Sequence, residues 1–255
     1  MHNNYFLIFV ALLAFFAASK SAKLAGNQRI LEDEVTEVLE CVRGVLKTGI
    51  EEVGLPSFEP LEVEHLVVNV TEFNINNAVG HVTLNTASIS GITDWDLSDL
   101  KIDVNIIGGI GGSLVANIDL PKFVINTGYI ADLSVSGINI FGEGEIYMEL
   151  RHLGIAADAK ILLNRITLSK LRLLPTLGDI NFKITGLLND EEHSELASQI
   201  VNDIAVDWIN QKSEDFADLI EQFLQELVNG SQGVKQRDIG DIINAILDRC
   251  PLSIK

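Results

Sequence analysis

Two segments with helical periodicity flank a long stretch of alternating residues in this chain. Apolar residues recur every three or four positions from Ile30 to Glu52 and from Asn189 to Gly230, which predicts two amphipathic helices. From Leu61 to about Gly186 the period changes to two, which predicts about eight antiparallel strands, each with one apolar side. A short third helix is predicted from Ile239 to Leu247.

The second predicted helix is the longest element of the chain. Asn189, followed three positions later by Glu192, resembles a capping box, and Asn229-Gly230 is typical of a left-handed helix end. We interpret it as a long core helix, widened by the neighbouring row of Ala197, Val201, Ala205 and Ile209. Its apolar stripe consists of Leu196, Ile200, Ile204, Trp208, Phe216, Ile220 and Phe223.

The apolar side of the predicted sheet needs a partner that removes it from water. The long helix is the candidate, and sheets of long strands twist and coil strongly. The sequence therefore predicts an α+β fold in which a highly curved antiparallel sheet wraps around the long C-terminal helix. No internal repeat divides the chain, so we expect a single elongated domain over residues 22–255.

The first residues have the pattern of a targeting signal. Tyr5 to Ala18 is an uncharged apolar run, too short to span a membrane comfortably, and small residues follow it. We predict a secretory signal peptide over residues 1–21 and a secreted, extracellular protein, with an uncleaved anchor as the alternative. No later run is long enough to cross a bilayer, so no integral membrane segment is predicted.

The composition is strongly acidic and apolar. There are 36 acidic and 18 basic residues, and 47% of the chain is hydrophobic. A net charge of −18 repels nucleic acid backbones and anionic membrane surfaces, so neither is predicted as the main partner. The apolar content is instead typical of a globular chain with a large aliphatic interior.

Disulfide formation and N-glycosylation both depend on secretion of the chain. Cys41 and Cys250 are the two cysteines, and we predict a disulfide between them, with free or intermolecular thiols as the alternative. Asn69 and Asn229 each begin an Asn-x-Ser/Thr sequon and are candidate glycosylation sites.

The sequence carries none of the common catalytic or metal-binding patterns. It has no Gly-x-Ser-x-Gly elbow, P-loop or dinucleotide fingerprint, and no histidine lies at metal-ligand spacing from a cysteine. We therefore predict no enzyme, no cofactor and no metal site.

Three motifs taken in order resemble a known family. They are Gly54-Leu55-Pro56-Ser57-Phe58-Glu59-Pro60-Leu61, Phe141-Gly142-Glu143-Gly144-Glu145-Ile146, and Gly186-Leu187-Leu188-Asn189 leading to Asp207-Trp208. With Cys41 in the first helix, they are similar to the takeout and juvenile-hormone-binding proteins of insects, within the tubular lipid-binding superfamily that includes mite group 7 allergens. The resemblance implies a secreted carrier of a small hydrophobic ligand, such as a juvenile-hormone-like terpenoid, a fatty acid or another lipid.

Two functions of different classes follow from these observations. A carrier would hold its ligand in an apolar tunnel lined by the inner sheet face and the stripe of the long helix, with Trp208 and Tyr129 as polar anchors. The alternative is a secreted structural or interaction protein of the same fold, with a filled core and no ligand. Periodicity does not separate the two, because a packed core and an apolar tunnel use the same side chains. A receptor or protein partner is not identified by the sequence.

Overall fold

A computed structural model describes residues 28–73, 77–105, 111–162, 167–218, 245–246 and 248–250. The elements of this part of the chain are α1 Gln28–Thr48, β1 Leu61–Val63, β2 Leu66–Asn69, β3 Ala78–Ser90, β4 Asp96–Asn105, β5 Gly111–Val135, β6 Ile138–Leu162, β7 Thr167–Ile184 and α2 Glu191–Gln211, with short 3-10 helices at Glu51–Val53 and Val70–Phe73. The predicted signal peptide, most of the predicted third helix, Ile220, Phe223 and Asn229 lie outside the described residues.

The seven strands form one antiparallel sheet. The main order is β1, β3, β5, β6 and β7, while β2 pairs with a second part of β3 and β4 pairs with β5. The sheet is curved and carries α2 at one end, so the predicted α+β architecture is confirmed. Within the described residues, neither helix is long and apolar enough to span a membrane.

The two central strands, β5 and β6, are longer than predicted. Each has 25 residues, about 80 Å of strand, and they pair along their whole length. Gly142 and Gly144 of the second motif lie within β6. A side chain at either position would collide with the backbone between β7 and α2, which explains the two glycines.

The first core surrounds α1. This helix ends at Thr48 instead of Glu52, because Gly49 takes a left-handed conformation and redirects the chain. The face of α1 that meets the sheet is apolar at helical spacing, as the sequence predicted. Its buried cluster consists of Val38, Val42, Leu46, Ile50, Leu55, Phe58, Leu61, Trp95, Ile118, Leu120, Ile246 and Cys250.

The loop between β3 and β4 is attached to α1 by polar contacts. The Glu59 carboxylate accepts hydrogen bonds from the backbone N–H groups of Gly91 and Thr93 at 2.9 and 2.8 Å, and from the Thr93 hydroxyl at 2.8 Å. The Arg43 guanidinium lies over the Trp95 ring, 4.9 Å from its centre, and donates to the Trp95 carbonyl. Glu59 lies in the segment that follows α1, and its bonds explain the glutamate of the first motif.

The predicted disulfide is confirmed. Cys41 of α1 and Cys250 are bonded, with their Cα atoms 5.7 Å apart. The bond and the buried Ile246 hold the end of the chain against α1. The alternative of two free thiols is therefore wrong.

Helix α2 differs from its prediction in its start and in its burial. Asp190, and not Asn189, caps the helix, because its carboxylate accepts the backbone N–H of His193 at 3.1 Å. The helix ends at Gln211, and helical backbone resumes over residues 213–218. Ser194 is the one buried residue between Glu191 and Gln211, so this part of the predicted core helix packs on the sheet with side chains that are only partly buried.

We expect the disulfide to contribute a large part of the stability. Replacing both Cys41 and Cys250 with Ser should lower the free energy of unfolding by about 2–5 kcal/mol, because the unfolded chain loses its constraint. Denaturant titration of the variant and of the parent, with and without reductant, measures the effect. Equal stability of the reduced and oxidised parent would contradict the prediction.

Candidate functional site

The inner face of the sheet is the face that contacts the helices. Near α1 its side chains are buried, as Ile118 and Leu120 show. Toward α2 the same face remains apolar but is only partly buried. These partly exposed positions include Leu84, Ile125, Leu133, Ile146, Met148, Phe182 and Ile184.

Helix α2 packs on this face with one narrow row of side chains. Val201, Ala205 and Ile209, together with Val206, contact a second core built on Leu150, Leu177 and Ile180 of β6 and β7. Val201, Ala205 and Ile209 belong to the row that the sequence predicted only to widen the main stripe. They are the side chains that fix α2 to the sheet.

A second row of side chains on α2 forms hydrogen bonds with backbone groups at the open edge of β7. The Asn202 amide accepts the backbone N–H of Phe182 at 2.7 Å and donates to its carbonyl at 3.0 Å. Asn210 makes the same two bonds with Leu177, at 2.8 and 2.9 Å. The Ser198 hydroxyl accepts the N–H of Ile184, and the Ser194 hydroxyl accepts the N–H of Leu187, just after β7. The hydroxyl of Ser213, just after α2, donates to the carbonyl of Pro175.

We call these five residues, Ser194, Ser198, Asn202, Asn210 and Ser213, the edge row. They satisfy backbone groups that would otherwise be open to a further strand. The sequence did not predict the edge row, although small polar residues recur at four-residue spacing from Ser194 to Asn202. On an amphipathic helix such a row is ordinarily read as solvated, and only the structure shows its partners.

The stripe of α2 lies beside these contacts. Leu196, Ile200, Ile204 and Trp208, which we call the apolar stripe, are 54%, 49%, 55% and 55% exposed. Ile200, Ile204 and Trp208 each directly precede a residue packed on the sheet, so they lie about 100° around the helix from it. The stripe therefore borders the contact between α2 and the inner face.

The two predicted polar anchors have different surroundings. The Trp208 ring meets Phe216 edge-on, with the ring centres 5.3 Å apart, and is half exposed. Tyr129 is 1% exposed, and its hydroxyl donates to the carbonyl of Thr185 at 2.9 Å. Burial raises the pKa of Tyr129, so the hydroxyl keeps its proton. Its one donor is used within the protein, and we leave Tyr129 out of the proposed ligand contacts.

Positive charges are kept away from the inner face in the part of the chain that the structure describes. Lys101 and Lys183 are exposed, and they lie opposite Val115 and Tyr147 on the outer face. The remaining described Lys and Arg side chains form ion pairs with carboxylates: Arg43, Lys47, Lys122, Arg151, Arg172, Lys212 and Arg249.

Glu149 is a buried carboxylate on the outer face of β6. It accepts hydrogen bonds from the Tyr147 hydroxyl at 2.6 Å and from Arg151 at 2.8 Å, and it pairs with Lys122 at 3.0 Å. The Tyr147 bond, followed by those of Lys122 and Arg151, lowers the pKa of Glu149 to about 2. A carboxylate held ionised by three partners stabilises the sheet and is poorly suited to proton transfer.

Candidate metal ligands are dispersed over the described residues. No group of three or more His, Cys, Asp or Glu side chains there is placed to hold a metal ion. The four described histidines, His65, His81, His152 and His193, are all exposed.

The family of the chain can be determined from its sequence. The family described as haemolymph juvenile hormone binding protein (JHBP) matches residues 6–233, most of the chain. The chain belongs to the JHBP family. Membership supports a general role in binding a hydrophobic ligand and agrees with the resemblance in the sequence. No curated protein matches the chain.

Two solved structures are similar to this JHBP family member. Takeout 1 of Epiphyas postvittana has 12% sequence identity and a TM-score of 0.46, with 83% of this chain and 88% of that chain covered. A lipopolysaccharide binding protein has 9% identity and a TM-score of 0.25, with 74% of this chain and 38% of that chain covered.

We expect the edge row to hold α2 in place. Replacing Asn202 with Asp keeps the acceptor for the Phe182 N–H but removes the donor to the Phe182 carbonyl. The free energy of unfolding should fall by about 1–3 kcal/mol, because a partly buried carbonyl loses its partner and faces a negative charge. Hydrogen exchange at the Phe182 amide should become faster.

A matched control exists on the exposed side of α2. Gln199→Glu makes the same amide-to-acid change at an exposed position that faces Glu195 and not β7. Denaturant titration should show the larger loss for Asn202→Asp. Equal losses in the two variants would mean that the bond to Phe182 does not hold the helix.

Proposed function

We propose that this JHBP family member is a carrier that binds one small hydrophobic molecule between α2 and the inner face of the sheet. The ligand classes are a juvenile-hormone-like terpenoid, a fatty-acyl derivative or another lipid. The apolar stripe and the partly exposed inner-face residues are the proposed contacts. Phe216 adjoins the stripe, and Ile220 and Phe223, outside the described residues, stay predicted contacts from the sequence. We propose no catalytic activity, since the family consists of binding proteins.

One observation favours a carrier over a protein with a filled core. A filled core leaves no apolar side chain of the inner face exposed, and the α1 end approaches that condition. At the α2 end, by contrast, Leu84, Ile125 and Phe182 remain partly exposed, and the four stripe residues are about half exposed. A hydrophobic molecule lying there would bury both surfaces together.

The gain from this burial is large enough for useful affinity. A fifteen-carbon ligand gains on the order of 12 kcal/mol at about 0.8 kcal/mol per buried methylene, before the costs of association and ordering. With association costs at the low end, about 4 kcal/mol, the remainder corresponds to roughly micromolar binding without a charged contact. Shape and apolar area would then select the ligand.

The arrangement of charges favours a neutral ligand. A buried carboxylate needs a cation or several donors, because its desolvation is costly. The described cations are exposed or paired with acids, and the edge row is bonded to β7. An ester, an alcohol or a hydrocarbon meets no such cost.

We also propose secretion as the setting of this function. The apolar run at the start of the chain is typical of a signal peptide, and the family description places a member in haemolymph. Removal of residues 1–21 would leave residues 22–255 as a single extracellular domain. A stable disulfide is typical of the same compartment.

A charge in the apolar stripe should weaken ligand binding. Ile204→Asp removes an apolar contact and places a carboxylate beside the ligand, so the affinity for a fluorescent fatty-acyl ester should fall about 10-fold or more. Ile204 is about half exposed, and the fold should therefore tolerate the change. Fluorescence titration measures uptake, and circular dichroism checks the fold.

The control introduces an aspartate on the exposed polar side of α2 instead of in the apolar stripe. Gln199→Asp should bind the ester as the parent does. Unchanged affinity of a folded Ile204→Asp protein would exclude the stripe from the site. A parent that takes up no ester at all would overturn the carrier proposal and favour the filled-core alternative.

A neutral ligand should also bind better than its acid. We expect a long-chain methyl ester to bind at least about tenfold more tightly than the matching fatty acid at neutral pH, because only the acid must bury a charge. The acid should gain affinity as pH falls toward about 4–5, where carboxylic acids take up a proton. The matching alcohol is the control for effects of pH on the protein. Equal affinity of acid and ester at neutral pH would contradict the prediction.

A further inference from the structure

The outer face of the sheet carries an exposed group of large apolar side chains at one end. Val67, Val79, Ile130 and Phe141, which we call the outer patch, are 53%, 54%, 44% and 45% exposed. Val67 and Ile130 both lie opposite Thr83 of β3, one from each side, so they share a face of the sheet. Polar residues such as Thr83 separate these side chains along the sheet, and a group that covered this face would remove all four from water.

Asn69 lies on the same face as the outer patch. Across four strands, Asn69 is opposite His81, His81 is opposite Asp132, and Asp132 is opposite Phe141. Three strand spacings, about 14 Å, therefore separate Asn69 from Phe141 along one row. Asn69 is exposed at the end of β2, and its side-chain oxygen accepts the N–H of Thr71 at 3.2 Å.

We propose that Asn69 carries an N-linked glycan and that this glycan lies over the outer patch and prevents self-association through it. The sugar's C–H surfaces would cover Val67 and Phe141, and its hydroxyl groups would meet His81 and Asp132, which are exposed in the row between them. A glycan on Asn69 is covalently attached beside the outer patch, whereas a partner protein would have to bind the patch from solution. The inference rests on the proposed secretion and is independent of the ligand.

The modification is a transfer of a sugar from a donor in the secretory pathway. The donor is an oligosaccharide linked to a polyprenyl pyrophosphate. A C–N bond forms between the anomeric carbon of this oligosaccharide and the Asn69 Nδ2 atom. The C–O bond to the pyrophosphate breaks, and the lipid pyrophosphate leaves with the electron pair. The amide nitrogen loses one proton and keeps the other.

The test uses the full chain secreted from eukaryotic cells, with two variants of one residue. Thr71→Ser preserves the sequon, and Thr71→Ala removes it without changing Asn69 or the patch. Peptide mass mapping after enzymatic deglycosylation should find Asn69 modified in the parent and in Thr71→Ser, and unmodified in Thr71→Ala. Mapping by peptide separates Asn69 from the second sequon at Asn229.

Sedimentation velocity over a concentration series then measures self-association. Thr71→Ala should associate about tenfold or more tightly than Thr71→Ser. The double variant Thr71→Ala with Phe141→Ser should return to the behaviour of the parent, because the exposed ring is removed. This second variant shows that the association uses the outer patch.

Each other outcome overturns a stated part of the inference. A secreted chain with unmodified Asn69 contradicts the glycan. Equal association of Thr71→Ala and Thr71→Ser contradicts the shielding, and a parent that dimerises through Phe141 shows a second copy as the occupant. Retention of the unmodified chain inside the cell contradicts both secretion and the glycan. A glycosylated, secreted parent that takes up no ester would leave this inference standing while the carrier proposal fails.

Discussion

The open edge of β7 is the constraint on which the position of α2 and the proposed ligand site depend. An edge strand presents unpaired N–H and C=O groups, and these must be satisfied or covered. Here a helix covers them with side chains, and the amides of Asn202 and Asn210 each reproduce the pair of bonds that a neighbouring strand residue would make. The sheet can therefore end at β7 without another strand.

This bonding also sets the rotation of α2 about its axis. With the edge row on β7, the adjacent row of Val201, Ala205 and Ile209 lies on the inner face. The apolar stripe is then left at the margin of the contact, about half exposed. A helix held by hydrophobic packing alone would bury its most apolar row, and the half-exposed stripe is a result of polar bonds taking precedence. The same bonds keep α2 from sliding into the space proposed for a ligand.

Much of the fold could be predicted from the sequence, because period and composition report it directly. The change of period marked the two helices and the sheet, and two cysteines in a chain with a predicted signal peptide indicated their pairing. The ends of the strands were harder to predict, because Gly142 and Gly144, which lie within β6, are residues typical of turns. The row of α2 that meets the sheet could not be predicted, because the bonds of Asn202 and Asn210 depend on groups of β7 that are distant in sequence.

The bond between Cys41 and Cys250, which are 209 positions apart in sequence, closes a covalent ring that contains all seven strands and α2. In such a ring, cutting one peptide bond leaves all the strands and α2 covalently connected. The exposed turn at Ser136-Gly137 joins two strands that are already paired along 25 residues. Circular permutation with new ends at this turn would therefore keep every strand pairing of the sheet, while the bridge keeps α1 next to the segment that carries Cys250.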